Sequence, residues 1–246
     1  MNKVLKEKIK QVLVFLIIVI AFGFTLSIML KYKTEGETNL PFNLSKILIV
    51  SSAEAESKDQ NPNNNKWNID INQYNDIYIE LGKNNDYKVT SYIKSVKIEN
   101  INISKPNKGT IYKYMPYSGE GKLFSYEDNY EIVDSLTLEG SETNETKNLK
   151  ISNQGGTILF RIVNKDVSEF VSNGDDEISY DGTLLAKTGV SRDDVKVNVS
   201  FDLVIETDRT TYRGKVSFEL PCGDIASEGV SQQVITDFSN VVFKRE

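Results

Sequence analysis

Apolar positions in this 246-residue chain follow two different patterns. Residues 12–30, VLVFLIIVIAFGFTLSIML, carry no charge, whereas beyond residue 67 apolar side chains tend to recur at every second position. The first pattern predicts a helix that crosses a bilayer. At about 1.5 Å per residue it covers roughly 30 Å, the thickness of the hydrocarbon core. Its four Leu, four Ile, three Val and three Phe contribute about −4 to −8 kcal/mol to insertion, and Gly23, Thr25 and Ser27 do not offset that.

The second pattern predicts strands with one buried face. It runs through Ile69 and Ile71, through Ile77, Ile79 and Leu81, and most cleanly through Val195, Val197, Val199, Phe201, Leu203 and Ile205. The last run faces a second one, residues 212–220, across polar residues 206–211, which predicts an antiparallel hairpin that Pro221 ends. Residues 46–52 (KILIVSS) predict a short strand, residues 57–66 (SKDQNPNNNK) a surface loop or linker, and residues 241–243 a final strand. Residues 183–187 (TLLAK) predict one helical turn, with Gly189 suited to its C-cap.

Many short strands with frequent turn signals predict an all-β ectodomain behind a single N-terminal transmembrane α-helix. The ectodomain is expected to be an antiparallel β-sandwich, built as one large sandwich or as two immunoglobulin-like units. The expected organisation is a short basic cytoplasmic tail at 1–11, the transmembrane helix at 12–30, and a stalk, short strand and polar linker at 31–66. An extracytoplasmic β-rich domain occupies 67–246. Residues 139–148 (EGSETNETKN) contain no apolar side chain and are the candidate sub-boundary.

The apolar run is longer than the core of a cleaved signal peptide and leads into Lys31, Tyr32 and Lys33 rather than a small-residue site. Ala53-Glu54-Ala55 has the right residues for such a site but lies too far beyond the run. Gly23-Phe24-Thr25-Leu26 resembles the GFTL of type IV pilin-like proteins over four residues. In that family the glycine follows basic residues, precedes the apolar helix and is soon followed by glutamate. Here it lies inside the run and no glutamate follows, so the match implies no processing site. The lone cysteine, Cys222, is far from any lipobox position. Lys3, Lys6, Lys8 and Lys10 before the run outnumber Lys31 and Lys33 after it, which predicts an N-terminus inside and a C-terminal part outside.

Charge and composition narrow the function classes. The chain has net charge −6 and a pI near 5.0, with a basic N-terminal tail, so the remainder is more acidic still. Nucleic-acid binding is not expected, and an acidic domain is expected to be repelled by anionic headgroups. One cysteine excludes an intrachain disulfide, so stability has to come from a packed core. Abundant Asn, Lys and Ile with scarce Cys, Trp and Pro suggest an AT-rich bacterial genome. The sequence has no histidine, which excludes Ser-His-Asp and Cys-His hydrolases and histidine-ligated zinc sites.

The remaining chemistry is sparse. Asp175, Asp176, Glu177, Asp181, Asp193 and Asp194 form acidic loops whose spacing matches no EF-hand, which favours solvated loops over a calcium site. Tyr112, Tyr114, Tyr117, Tyr126 and Tyr130 with Phe124 are expected to pack across strands, the alternative being an exposed platform for a sugar or polymer. Cys222 in Pro221-Cys222-Gly223 has no general-base partner and is expected to be structural. Ser45-Lys46 and Ser104-Lys105 are adjacent, hence on opposite faces of a strand. No catalytic, cofactor-binding or metal-ligating residue is assigned, no cofactor is expected, and the chain is not expected to be an enzyme. The expected partners are the lipid bilayer, through the helix, and a protein or envelope polymer. The expected function is that of a membrane-anchored binding or scaffold domain at the cell envelope. An accessory subunit of a secretion, filament or signalling assembly is the alternative, and a carboxylate-dependent glycan-processing enzyme a third.

Overall fold

The computed structural model describes residues 3–61, 66–116, 130–132, 155–172 and 184–246. Helix α1 (Lys3–Thr34) comes first. Its segment Glu7–Thr34 is long and apolar enough to cross a membrane, and its apolar stretch lies bare of contact with the rest of the chain. Thr25 returns its hydroxyl to the Ala21 carbonyl at 2.9 Å, the internal satisfaction that a helix in lipid requires.

Ten strands follow among the described residues: β1 (Phe42–Asn61), β2 (Lys66–Lys83), β3 (Ile93–Ile103), β4 (Thr110–Pro116), β5 (Tyr130–Ile132), β6 (Gly155–Ser172), β7 (Val197–Thr207), β8 (Thr211–Leu220), β9 (Val230–Ile235) and β10 (Lys244–Arg245). They form a six-stranded sheet, β5-β4-β6-β2-β1-β9, and a four-stranded sheet, β10-β8-β7-β3. Every pairing is antiparallel. The two sheets make the expected sandwich. Residues 139–148 lie outside the described residues, but strands from before and after them share both sheets.

Alternation explains the core. Ile77, Ile79 and Leu81 of β2 turn inward with Ile47 and Ile49 of β1 and Ile158, Phe160 and Ile162 of β6. Val197, Val199, Phe201, Leu203 and Ile205 of β7 meet them from the other sheet. Phe160 and Phe201 stand edge to face at 5.8 Å, the geometry that opposed ring quadrupoles prefer. Burying each such side chain stabilises the fold by about 1.5–3 kcal/mol.

The sheets differ in length. At about 3.3 Å per residue β1 extends roughly 65 Å and β7 roughly 35 Å, so the β1-β2-β6 ribbon overhangs the sandwich by about 30 Å. The overhang carries its own apolar cluster: Ile71 of β2 and Val167 of β6 pack with Leu184, Leu185, Val190, Val195, Ile225 and Ala226. These last come from and around three single-turn helices, α2 (Leu184–Lys187), α3 (Arg192–Val195) and α4 (Ile225–Glu228). A four-residue helix is far below the length that is stable alone, so packing on the ribbon holds each one. Gly189, at φ +69°, closes α2 as expected, donating its N–H to the Ala186 carbonyl.

Several elements depart from the sequence reading. The short strand expected at 46–52 is the twenty-residue β1, and residues 57–61, expected in a loop, belong to it. Apolar alternation marks only strand residues that face a core; Ser57 to Asn61 pair through their backbones with Lys66 to Ile69 beyond the sandwich, where polar side chains are tolerated. The segment 31–66 is therefore mostly helix end and strand, with a stretch of seven residues, 35–41, between α1 and β1. The final strand is Lys244–Arg245, while Phe243 forms an isolated bridge with Glu37.

Candidate functional site at the anchor junction

The residues singled out in the sequence do not converge. Asp175, Asp176, Glu177 and Asp181 lie outside the described residues. Asp194 works inside α3: its carboxylate accepts from the Ser191 N–H and hydroxyl, each at 2.9 Å, and these bonds hold it below the usual carboxylate range. Among the described residues no group of three or more His, Cys, Asp or Glu is placed to hold a metal ion.

Tyr112 and Tyr114 share the outer face of the six-stranded sheet, beside Tyr74 and Val163. Tyr74 and Tyr114 are buried and Tyr112 half-buried. Tyr74 donates to Glu56 at 2.7 Å, and the Arg161 guanidinium lies 5.2 Å from its ring centre while gripping Asp76 with two bonds of 2.6 and 2.9 Å. These two tyrosines are thus cross-strand packing. Tyr117, Phe124 and Tyr126 lie outside the described residues, as does the side chain of Tyr130.

Cys222 is buried, with Sγ donating to the Ser231 carbonyl at 3.1 Å and its N–H to Ser51 Oγ at 3.1 Å. Ser51 in turn donates to Asn75 Oδ1 at 2.6 Å, and Asn75 donates to the Ile162 carbonyl. This chain of bonds forms a polar seam across the ribbon between its two apolar clusters. Of the Ser-Lys pairs, Lys46 binds Glu80 at 2.8 Å and Ser104 accepts the Asn198 N–H at 2.7 Å. Neither forms a nucleophile-base pair.

The densest unassigned constellation lies where α1 meets the sandwich. Gly36 takes φ +88°, a conformation open to glycine without strain, and a Cβ there would lie 2.9 Å from the Phe243 carbonyl. The turn brings Glu37 beside the chain's last strand, where its N–H donates to Phe243 at 2.9 Å. Its carboxylate takes two bonds from Arg245, at 2.7 and 2.8 Å. The Glu37 side chain is only 9% exposed, so this bidentate pair is partly sheltered from water and geometrically specific.

Arg245 also lies 4.6 Å from the ring centre of Tyr32, in the last turn of α1, and 5.8 Å from that of Tyr212 in β8. The Glu37 bonds raise the Arg245 pKa, securing its charge. Burial, followed by the nearby Glu37 carboxylate, pushes the Tyr212 hydroxyl well above its ordinary value, so it stays neutral. Phe42 closes the cluster from β1, edge to face with Tyr212 at 5.4 Å and with Phe243 at 5.0 Å. No local periodicity marks this junction, because its partners lie 208 positions apart. The available signal was only an opposite-charge pair, Glu37 in the predicted stalk and Arg245 near the end of the predicted domain.

Comparison with protein-family models, with curated proteins and with solved structures finds no match. In this arrangement the Glu37 carboxylate is taken up by its two bonds from Arg245. What the arrangement does physically is fasten the end of an apolar helix to a β-sandwich.

Proposed function

We propose that this protein is a single-pass membrane protein that displays its β-sandwich as a binding or scaffold module at the cell envelope, with the N-terminus cytoplasmic and the domain outside. The observation that carries this reading is the bare apolar face of α1 combined with the fastening of its end to the domain by Glu37, Arg245 and Tyr32. Confinement to a surface raises the domain's effective concentration towards neighbouring envelope components. The lysine bias supports the orientation.

Flotation with membranes that resists alkaline carbonate, together with protease shaving of intact cells, tests it. Full-length protein should float and its domain should be cut from outside. Release of uncleaved protein by carbonate would overturn the anchor, and protection in whole cells with cutting in inverted vesicles would overturn the orientation.

A second reading, an accessory subunit of a membrane assembly, draws on β9. This strand ends the six-stranded sheet, and Val230 and Val234 on it are exposed. An unpaired edge with apolar side chains is a template for a strand from another chain. Crosslinking in membranes from a Gln232→Cys variant should then yield a discrete adduct; a monomer alone would count against this reading.

A further inference from the structure

We propose that the anchor-proximal end of the sandwich is itself a membrane-contact surface, resting on the lipid headgroups and holding the β1-β2 ribbon upright from the bilayer. The inference rests on the membrane reading of α1 and adds to it a fixed orientation. The apolar run leaves the hydrocarbon at Leu30, and α1 ends at Thr34, about 6 Å further at 1.5 Å per residue. The headgroup layer of one leaflet is about 5–8 Å thick. Glu37 already belongs to the sandwich, so no length of tether is left to lift the domain clear.

The loops at this end have interfacial chemistry. Val242, 48% exposed, lies against Gly36, immediately beyond the helix. Asn84 donates to the Pro41 carbonyl at 3.0 Å, which fastens the 84–92 loop beside the helix end. At its far side the Tyr92 N–H donates to Asp208 at 3.1 Å, and Thr90 accepts from Arg209 at 3.1 Å. That loop presents Val89 and Tyr92, 44% and 45% exposed. A tyrosine ring with a polar tip suits the headgroup level, and a valine beside it adds apolar area.

Charge agrees. The domain is acidic, yet at this end Glu35 is engaged by Lys31, Glu37 by Arg245, and Asp208 by Ser91 and Arg209, which leaves the exposed Asp86 of the 84–92 loop as a carboxylate without a cation. Lys33, Lys88 and Lys244 are exposed, and no carboxylate among the described residues pairs with them. Lysines so placed attract lipid phosphates. The repulsion expected of an acidic domain therefore acts on its remote parts and helps to keep them away from the bilayer.

The test uses the full chain in vesicles of phosphatidylcholine and phosphatidylglycerol, with lipids brominated near the headgroup as quenchers. The one native tryptophan, Trp67, sits about 50 Å up β2 from Lys83 at about 3.3 Å per residue, and serves as the remote reference. Tyr92→Trp in a Trp67→Phe background should be quenched several-fold more strongly than Trp67 in the unmodified protein, with a blue-shifted emission; Val89→Trp is the second reporter at an exposed position. Phe22→Trp in the same background, read with lipids brominated near the acyl-chain ends because position 22 lies about 12 Å below Leu30, controls for insertion. Quenching at 22 without quenching at 92 and 89 would overturn the inference and leave the anchor standing. Equal quenching at 67 and 92 would mean a domain lying flat and would also overturn it. No quenching at 22 would overturn the membrane reading itself.

Discussion

The sandwich and the overhang share three strands and bury them in different ways. In the sandwich β1, β2 and β6 face a second sheet whose strands pair with one another along their length. In the overhang the same strands face helices of a single turn, which have almost no hydrogen bonding of their own to contribute. The inward faces record the change: isoleucines line both clusters, but Ser51 and Asn75 stand between them with Cys222. A register shift between Ile71 and Gln73 falls in the same region. One ribbon therefore supports two packing solutions, sheet on sheet and sheet on single-turn helices.

That contrast is breakable. Phe201→Ala should cost about 3–5 kcal/mol, because it removes a ring from the centre of the sandwich, and should lower the urea midpoint read by every probe. Leu185→Ala removes a buried side chain from the overhang and should cost about 2–3 kcal/mol, since a single-turn helix can settle into the gap. Hydrogen exchange should then quicken in α2 and α4 while β7 and β8 keep their protection. Equal acceleration in both regions would show that they unfold as one unit. Ser51→Ala, which leaves the buried Cys222 N–H without its acceptor and Asn75 Oδ1 with only the 3.4 Å bond from Gln73, should cost about 1–3 kcal/mol and loosen the link between the halves.

Acid should separate the two regions more gently. The Ser91 hydroxyl and the Tyr92 N–H hold the Asp208 carboxyl below its ordinary range in the sandwich hairpin. The Ser191 N–H and hydroxyl do the same for Asp194 in the overhang. A depressed folded-state pKa means that the folded protein binds fewer protons, so the stability each supplies is present above about pH 4 and lost as pH falls below it. Asp208→Asn should flatten the acid limb of the β7-β8 transition, and Asp194→Asn that of α3 protection. An unchanged acid limb in both variants would show that these bonds contribute nothing to folding.

The two regions also differ in how far the sequence revealed them. Val197 to Ile205 alternate because β7 has one face in the core and one in water, and a period of two can be read wherever that holds. Ile77, Ile79 and Leu81 also alternate into the core, although Tyr78 between them is buried on the other face of the sheet. Ser57 to Asn61 continue β1 with no apolar signal, since that end of the ribbon passes beyond the sandwich. β9 escaped for a related reason: only Ser231 and Ile235 are half-buried and the rest of this edge strand is exposed. α3 and α4 are too short for a helical period to develop. The junction of Glu37 with Phe243 and Arg245 is a contact between remote segments, to which local pattern is blind, and its position beside the membrane helix emerges only once the sheets are closed.

The separation of 208 positions between Glu37 and Arg245 sets an order of events during biosynthesis. The ribosome finishes the helix and Glu37 first and adds the residues that clamp them long afterwards. Throughout that interval the anchor is a free swivel on a growing chain, able to enter the bilayer without dragging a rigid body behind it. Arrival of Phe243 and Arg245 ends that freedom, so on the proposed membrane reading the joint between helix and sandwich is still unmade when the helix meets the bilayer.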